Sequence, residues 1–168
     1  MHRYKCWNAA MPTTAAIVKV TTGTAIKTML QIATPSTRKI QLLSWGYELD
    51  AIPGSTGGVI ELLQTDVAAT VTAHVAAGVQ PLDAGLPASL MTLGTSATGF
   101  TATVEGSVTA TRVFDANFAD PTAGATSMSY DYQWMPDERP IVDVSKFLRV
   151  RVTFAAAVNM LTWVCWAE

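Results

Sequence analysis

Side chains able to do acid–base chemistry are few in this sequence, and their spacing is loose. Asp131, Asp137 and Glu138 surround Pro136 and would supply a carboxylate pair of the kind that hydrolyses glycosides. Asp131 falls on the polar side of an alternating stretch, however, and Asp137 and Glu138 occupy a proline-flanked turn, where acidic residues keep a loop hydrated. Asp115 and Asp120 offer oxygens to calcium, but no Asp-rich loop accompanies them to complete a six-oxygen shell. The two histidines, His2 and His74, read as solvated or hydrogen-bonded side chains. With Cys6 and Cys165 they lack the CxxC or HxxxH spacing of a zinc site, so no metal is expected. Gly57-Gly58 matches neither a phosphate-binding loop nor a dinucleotide fingerprint, and no Gly-x-Ser-x-Gly elbow occurs. The expectation is a protein that is not an enzyme and carries no cofactor.

Binding chemistry is better represented. Arg149 and Arg151 read as pointing from one strand face to solvent or to a partner's carboxylate, and Arg38-Lys39 is the other basic pair. Trp45, Tyr130, Tyr132 and Trp134 are candidates for a sugar-stacking platform, but their strict alternation places them in a core. Trp163 and Trp166 fall on opposite faces of one strand, so one of them is available to a neighbouring molecule. Arg3, Lys5 and Trp7 are anchor-type residues in a segment that carries no apolar run, and they are candidate contacts to a partner.

The elements that must position these residues are strands. Period-two alternation marks 25–32, 41–49, 127–135 and 148–154, and 158–166 is apolar on both faces, as a strand inside a sheet should be. Shorter strands are expected at 59–64 and 100–104, a longer one at 108–118, and a further one at 15–20. In 25–32 the residues Ile26, Thr28, Leu30 and Ile32 should share a face. Turn clusters at 34–37, 52–58, 80–87, 94–99, 120–124 and 136–140 separate them at the spacing of an all-β sandwich or barrel. Residues 64–77 read equally as a short helix capped by Asp66 or as an irregular loop. The expectation is one domain, an antiparallel all-β sandwich or barrel with about eight strands over residues 15–168, preceded by a short N-terminal arm over residues 1–14.

Composition narrows the function classes. The chain has 168 residues, 11 basic and 13 acidic side chains, a net charge of -2, and only 14% charged residues. An ordinary domain carries about 25% charged residues. That low charge suits burial against other subunits and argues against a sequence-independent nucleic-acid binder. No apolar run is long enough for a membrane helix, and no signal peptide is visible. Cys6 and Cys165 read as free thiols in a reducing compartment, with a disulfide between them open if the first and last strands are neighbours.

Several segments, taken in order, carry a resemblance. These are Thr24–Ile32, the 35–39 turn, Ile40–Tyr47, Val59–Thr65, Leu148–Val152, Ala157-Val158-Asn159 and the tryptophan-containing end Trp166-Ala167-Glu168. Together they resemble the small jelly-roll decoration, or capsid cement, proteins of tailed-bacteriophage heads. The resemblance implies a structural virion protein made in the host cytoplasm and seated on the capsid exterior. It implies a homotrimer whose partner is the major capsid protein, with no nucleic acid or membrane partner. On that reading the arm with Arg3, Lys5 and Trp7 reaches to a neighbouring capsid subunit. The alternative is a trimeric tail-fibre or baseplate domain that binds carbohydrate receptors.

Overall fold

The alternating stretches become strands close to where the pattern places them. The computed structural model describes residues 1–11, 14–120 and 127–168. Among these residues β1 (Arg3–Trp7), β2 (Val20–Thr21), β3 (Ile26–Ala33), β4 (Ile40–Leu49), β5 (Gly58–Thr65), β6 (Thr70–Ala73) and β7 (Val79–Pro81) come first. They are followed by β8 (Gly99–Val104), β9 (Thr111–Ala119), β10 (Met128–Gln133), β11 (Ile141–Val142), β12 (Phe147–Phe154) and β13 (Asn159–Ala167). Two single 3-10 turns lie at Ala76–Gly78 and Pro136–Glu138. The eight strands expected from periodicity are β3, β4, β5, β8, β9, β10, β12 and β13. The thirteen described strands add β1, β2, β6, β7 and β11, all of five residues or fewer, too short for alternation to stand out. The turn expected at 120–124 lies almost wholly outside the described residues.

Two antiparallel sheets pack face to face. The seven-stranded sheet runs β10-β4-β13-β1-β7, with β11 also on β4 and β2 on β13; the six-stranded sheet runs β6-β8-β3-β12-β5-β9. Consecutive strands change sheets at β3 to β4, β4 to β5, β9 to β10 and β12 to β13, which is the winding of a sandwich rather than of a meander. The doubly apolar β13 is indeed internal, between β4 and β1. The inner faces supply the core, in which Trp45, Trp166, Tyr4, Tyr47, Leu30, Ile32, Ile60 and Leu62 are fully buried. The accessible surface is 7890 Å², close to the roughly 8,000 Å² that a compact chain of this mass exposes.

Four expectations are corrected. The arm expected over residues 1–14 is not free at residues 3–7, because Arg3–Trp7 is β1, paired with β13 on one side and β7 on the other. The reason is a short alternation, in which Tyr4 and Cys6 point into the core and Arg3, Lys5 and Trp7 point out. Asn8 extends the join: its backbone and side-chain amides donate to the Thr162 and Met160 carbonyls, and its Oδ1 accepts from the Thr162 amide. Second, residues 64–77 form neither a helix nor an irregular loop. They finish β5, turn, and form β6, and the turn is fixed by buried Gln31, whose side chain bonds both backbone groups of Ala69 and the Ala97 carbonyl. Third, a bulge where β12 meets β3 shifts the register between Val150 and Arg151. It turns Ile26 and Thr28 to the outer face while Leu30 and Ile32 stay inside. Of the strand expected at 15–20, only Val20 is in one.

Candidate functional site

The residues singled out as contacts lie on one surface, the outer face of the seven-stranded sheet. Arg3, Lys5 and Trp7 alternate outward along β1. Arg3 holds Asp83 beside β7, with Nε donating to Oδ2 at 3.1 Å and Nη2 to Oδ1. Lys5 stands between two indoles, its Nζ 5.0 Å from the centre of the Trp7 ring and 5.1 Å from that of Trp163. Trp163 is the residue directly opposite Trp7 on β13.

Strand registers order the rest of this face. One row across the sheet reads Trp7, Trp163, Gly46, Asp131 from β1 to β10. The row beside it reads Gln80, Lys5, Cys165, Ser44, Gln133. Gly46 explains the posture of Trp163. A β-carbon there would stand 2.6 Å from the Tyr130 carbonyl oxygen and 2.8 Å from Cε2 of Trp163, so the indole lies across the bare glycine backbone. Trp7 is steadied from the other side. At its level β1 has outrun its pairing with β7, and buried His74 donates Nε2–H to the Trp7 carbonyl at 2.8 Å. Burial holds the imidazole pKa below its ordinary value, outweighing the Trp7 carbonyl bond, which favours the cation.

Of the tryptophans, sequence reasoning assigned Trp163 and Trp166 to opposite faces, and Trp166 is the buried one, stacked on Tyr4 with ring centres 6.1 Å apart. Gly46 went unremarked. Its signal is a glycine within a strong alternating strand, which marks a close approach.

The other candidates are dispersed. Asp131 is exposed on β10, and Asp137 and Glu138 are exposed on the 3-10 turn that follows. Asp115 faces inward from β9 and accepts from Trp45 Nε1 and from the Tyr130 hydroxyl, both at 2.9 Å, while Asn117 accepts from the Tyr47 hydroxyl at 2.8 Å. Trp45, Tyr47 and Trp134 are buried and Tyr130 is half-buried, as the alternation required; Tyr132, at the sheet edge, is 39% exposed. Burial, and then the bond to Asp115, push the Tyr130 phenol up to about 12. Among the described residues no three His, Cys, Asp or Glu side chains gather to hold a metal ion.

Arg149 does not reach solvent as expected, and Arg151 reaches it only in part. The loop after β5 and the strand end after β8 close over the outer face of the six-stranded sheet. Arg149, fully buried, donates to the Glu105 and Val67 carbonyls and faces the Glu105 carboxylate at 3.5 Å. Thr28 donates to that carboxylate through both its amide and its hydroxyl at 2.6 Å. Arg151 pairs with Glu61 on the neighbouring strand at 2.9 Å.

Beyond this ion pair the same outer face turns apolar. Registers place Ile26, Thr153, Val59 and Phe118 in one row from β3 to β9, with Ile26 47% and Phe118 55% exposed. No protein-family model matches the chain, and no curated protein matches its sequence.

Proposed function

We propose that this chain is a structural virion protein, a decoration protein that binds the outer surface of a phage head and reinforces its lattice. The observation that carries the reading is the row Ile26, Thr153, Val59 and Phe118. It is an uncharged, partly apolar strip on an outer sheet face, next to charges, Arg151 and Glu61, that already neutralise each other. Such a face loses little by leaving water and is suited to burial against a repetitive protein surface. The resemblance of Thr24 to Glu168 to head decoration proteins supports the same reading, and so does a chain with so few charges.

A subunit that binds only the mature lattice stabilises it by its binding free energy at each site, and many weak sites add up over a shell. The partner on this reading is the major capsid protein. A homotrimer would match a local threefold axis of the lattice. Arg3, Lys5 and Trp7 lie in a strand, and the head contact proposed is the outer face of the six-stranded sheet.

The test is the copy number of the protein relative to the major capsid protein in purified virions, followed by rebinding of purified protein to undecorated heads. A ratio near one to one, or one trimer per local threefold, and loss of rebinding on Phe118→Asp are the expected results. A handful of copies per particle, or none, would overturn the reading.

A further inference from the structure

The outer face of the seven-stranded sheet is built for a ligand of another kind. We propose that it binds carbohydrate, with Trp163 and Trp7 stacking against pyranose rings and the polar residues around them bonding the hydroxyls. The face lies on the opposite side of the sandwich from the row assigned to the head, so a seated subunit would present it outward.

Four observations converge on a sugar. Trp7 and Trp163 are cross-strand neighbours, and their indoles flank the Lys5 ammonium, 5.0 and 5.1 Å from the two ring centres. Trp163 lies over Gly46, which lays the ring along the sheet instead of upright. A pyranose presents one flat face of C–H groups, and a ring laid along a surface is the shape that meets it.

The surrounding groups are the third observation. A sugar hydroxyl both donates and accepts, and this face offers both: Lys5 Nζ donates from the notch between the indoles. The Asp131 carboxylate ends one row, and Gln80, Ser44 and Gln133 flank the indoles in the next. The fourth is charge. Arg3 is engaged by Asp83, and the two rows carry one charge of each sign, Lys5 on β1 and Asp131 on β10, so the face is not the basic footprint that phosphates require.

The experiment uses the full chain on a printed array of glucose-, galactose-, mannose- and N-acetylhexosamine-based oligosaccharides, with the strongest binder then titrated calorimetrically. Expected is saturable binding of at least one oligosaccharide, weakened at least about tenfold by Trp163→Ala and by Trp7→Ala. Trp163→Phe should retain part of the affinity, and Asp131→Ala, an exposed change that spares the fold, should cost several-fold. Unchanged circular dichroism in the variants separates loss of the strip from loss of the fold. No binding anywhere on the array, or binding indifferent to both tryptophans and to Asp131, overturns the proposal. So does capture of a protein ligand alone through Trp163. Phe118→Asp should leave glycan binding intact, so failure here and failure of head binding are told apart.

Discussion

Cys6 and Cys165 lie on adjacent strands, one register step apart, and point to opposite faces of the same sheet. Cys165 stands opposite Lys5, and Cys6 stands opposite Val164 in the core. Both thiols are free and buried. Neighbouring first and last strands would have permitted a bridge, but the period of two forbids one, since a strand would have to slip by one residue and turn its core face to water.

Neither thiol should react readily with a thiol reagent in the folded protein. Burial pushes the Cys6 thiol up to about 12 and raises that of Cys165, and the thiolate is the reactive form. A reagent count near zero in buffer and two in denaturant is expected, with identical mobility on reducing and non-reducing gels. A native disulfide would give zero in both.

Gly46→Ala should cost about 1–3 kcal/mol, the range for forcing atoms into a filled site. The added methyl meets both the Tyr130 carbonyl and the Trp163 ring. Denaturant melts would measure the loss, and an altered tryptophan emission spectrum would report the indole leaving the backbone.

The two partners of the buried ion pair should differ in what their loss costs. Glu105 keeps 24% of its side chain exposed, whereas Arg149 keeps none. Glu105→Ala therefore strands a cation away from water and should cost about 3 kcal/mol or more. Arg149→Met leaves a carboxylate that still reaches solvent and the Thr28 donors, and should cost less. Equal losses in the two variants would contradict the assignment.

His74 should make the fold acid-sensitive near neutrality. Its folded pKa lies below the ordinary 6.5 because burial disfavours the cation, so the folded state binds fewer protons than the unfolded one. Stability is then full above pH 6.5 and falls as the pH drops below it. The denaturation midpoint of the native chain should decline between pH 7 and pH 5, and the decline should be shallower in His74→Gln.

Much of the sandwich was legible because alternation is a local property. Leu43, Trp45, Tyr47 and Leu49 announce a strand whatever surrounds them, and the apolar-on-both-sides stretch ending at Trp166 announces a central one. The failures involve information that lies elsewhere in the chain. Arg149 and Arg151 carry the polar signature of a solvent face, and only the crossing of the Val67 and Glu105 segments buries the first of them. The bulge beside Arg151 silently moves Ile26 from the core face to the surface. In β1 the alternation of Tyr4 and Cys6 with Arg3, Lys5 and Trp7 is present but spans five residues, too few to stand apart from a charged arm. Of the candidate site, Lys5, Trp7 and Trp163 were singled out from sequence. Their union needed the pairing of β1 with β13, a contact between residues more than a hundred positions apart.

That pairing also fixes the order of events during synthesis. β1 is made first, yet both of its neighbours, β7 and β13, come later, and the ladder runs on until the His2 and Glu168 backbones exchange hydrogen bonds of 3.0 and 2.9 Å. The seven-stranded sheet therefore cannot close before its last strand has left the ribosome, and until then Tyr4 and Cys6 wait without a core. Once closed, it brings residues 2 and 168 side by side, so a short peptide linking them should be tolerated, with new ends opened at the 82–90 loop.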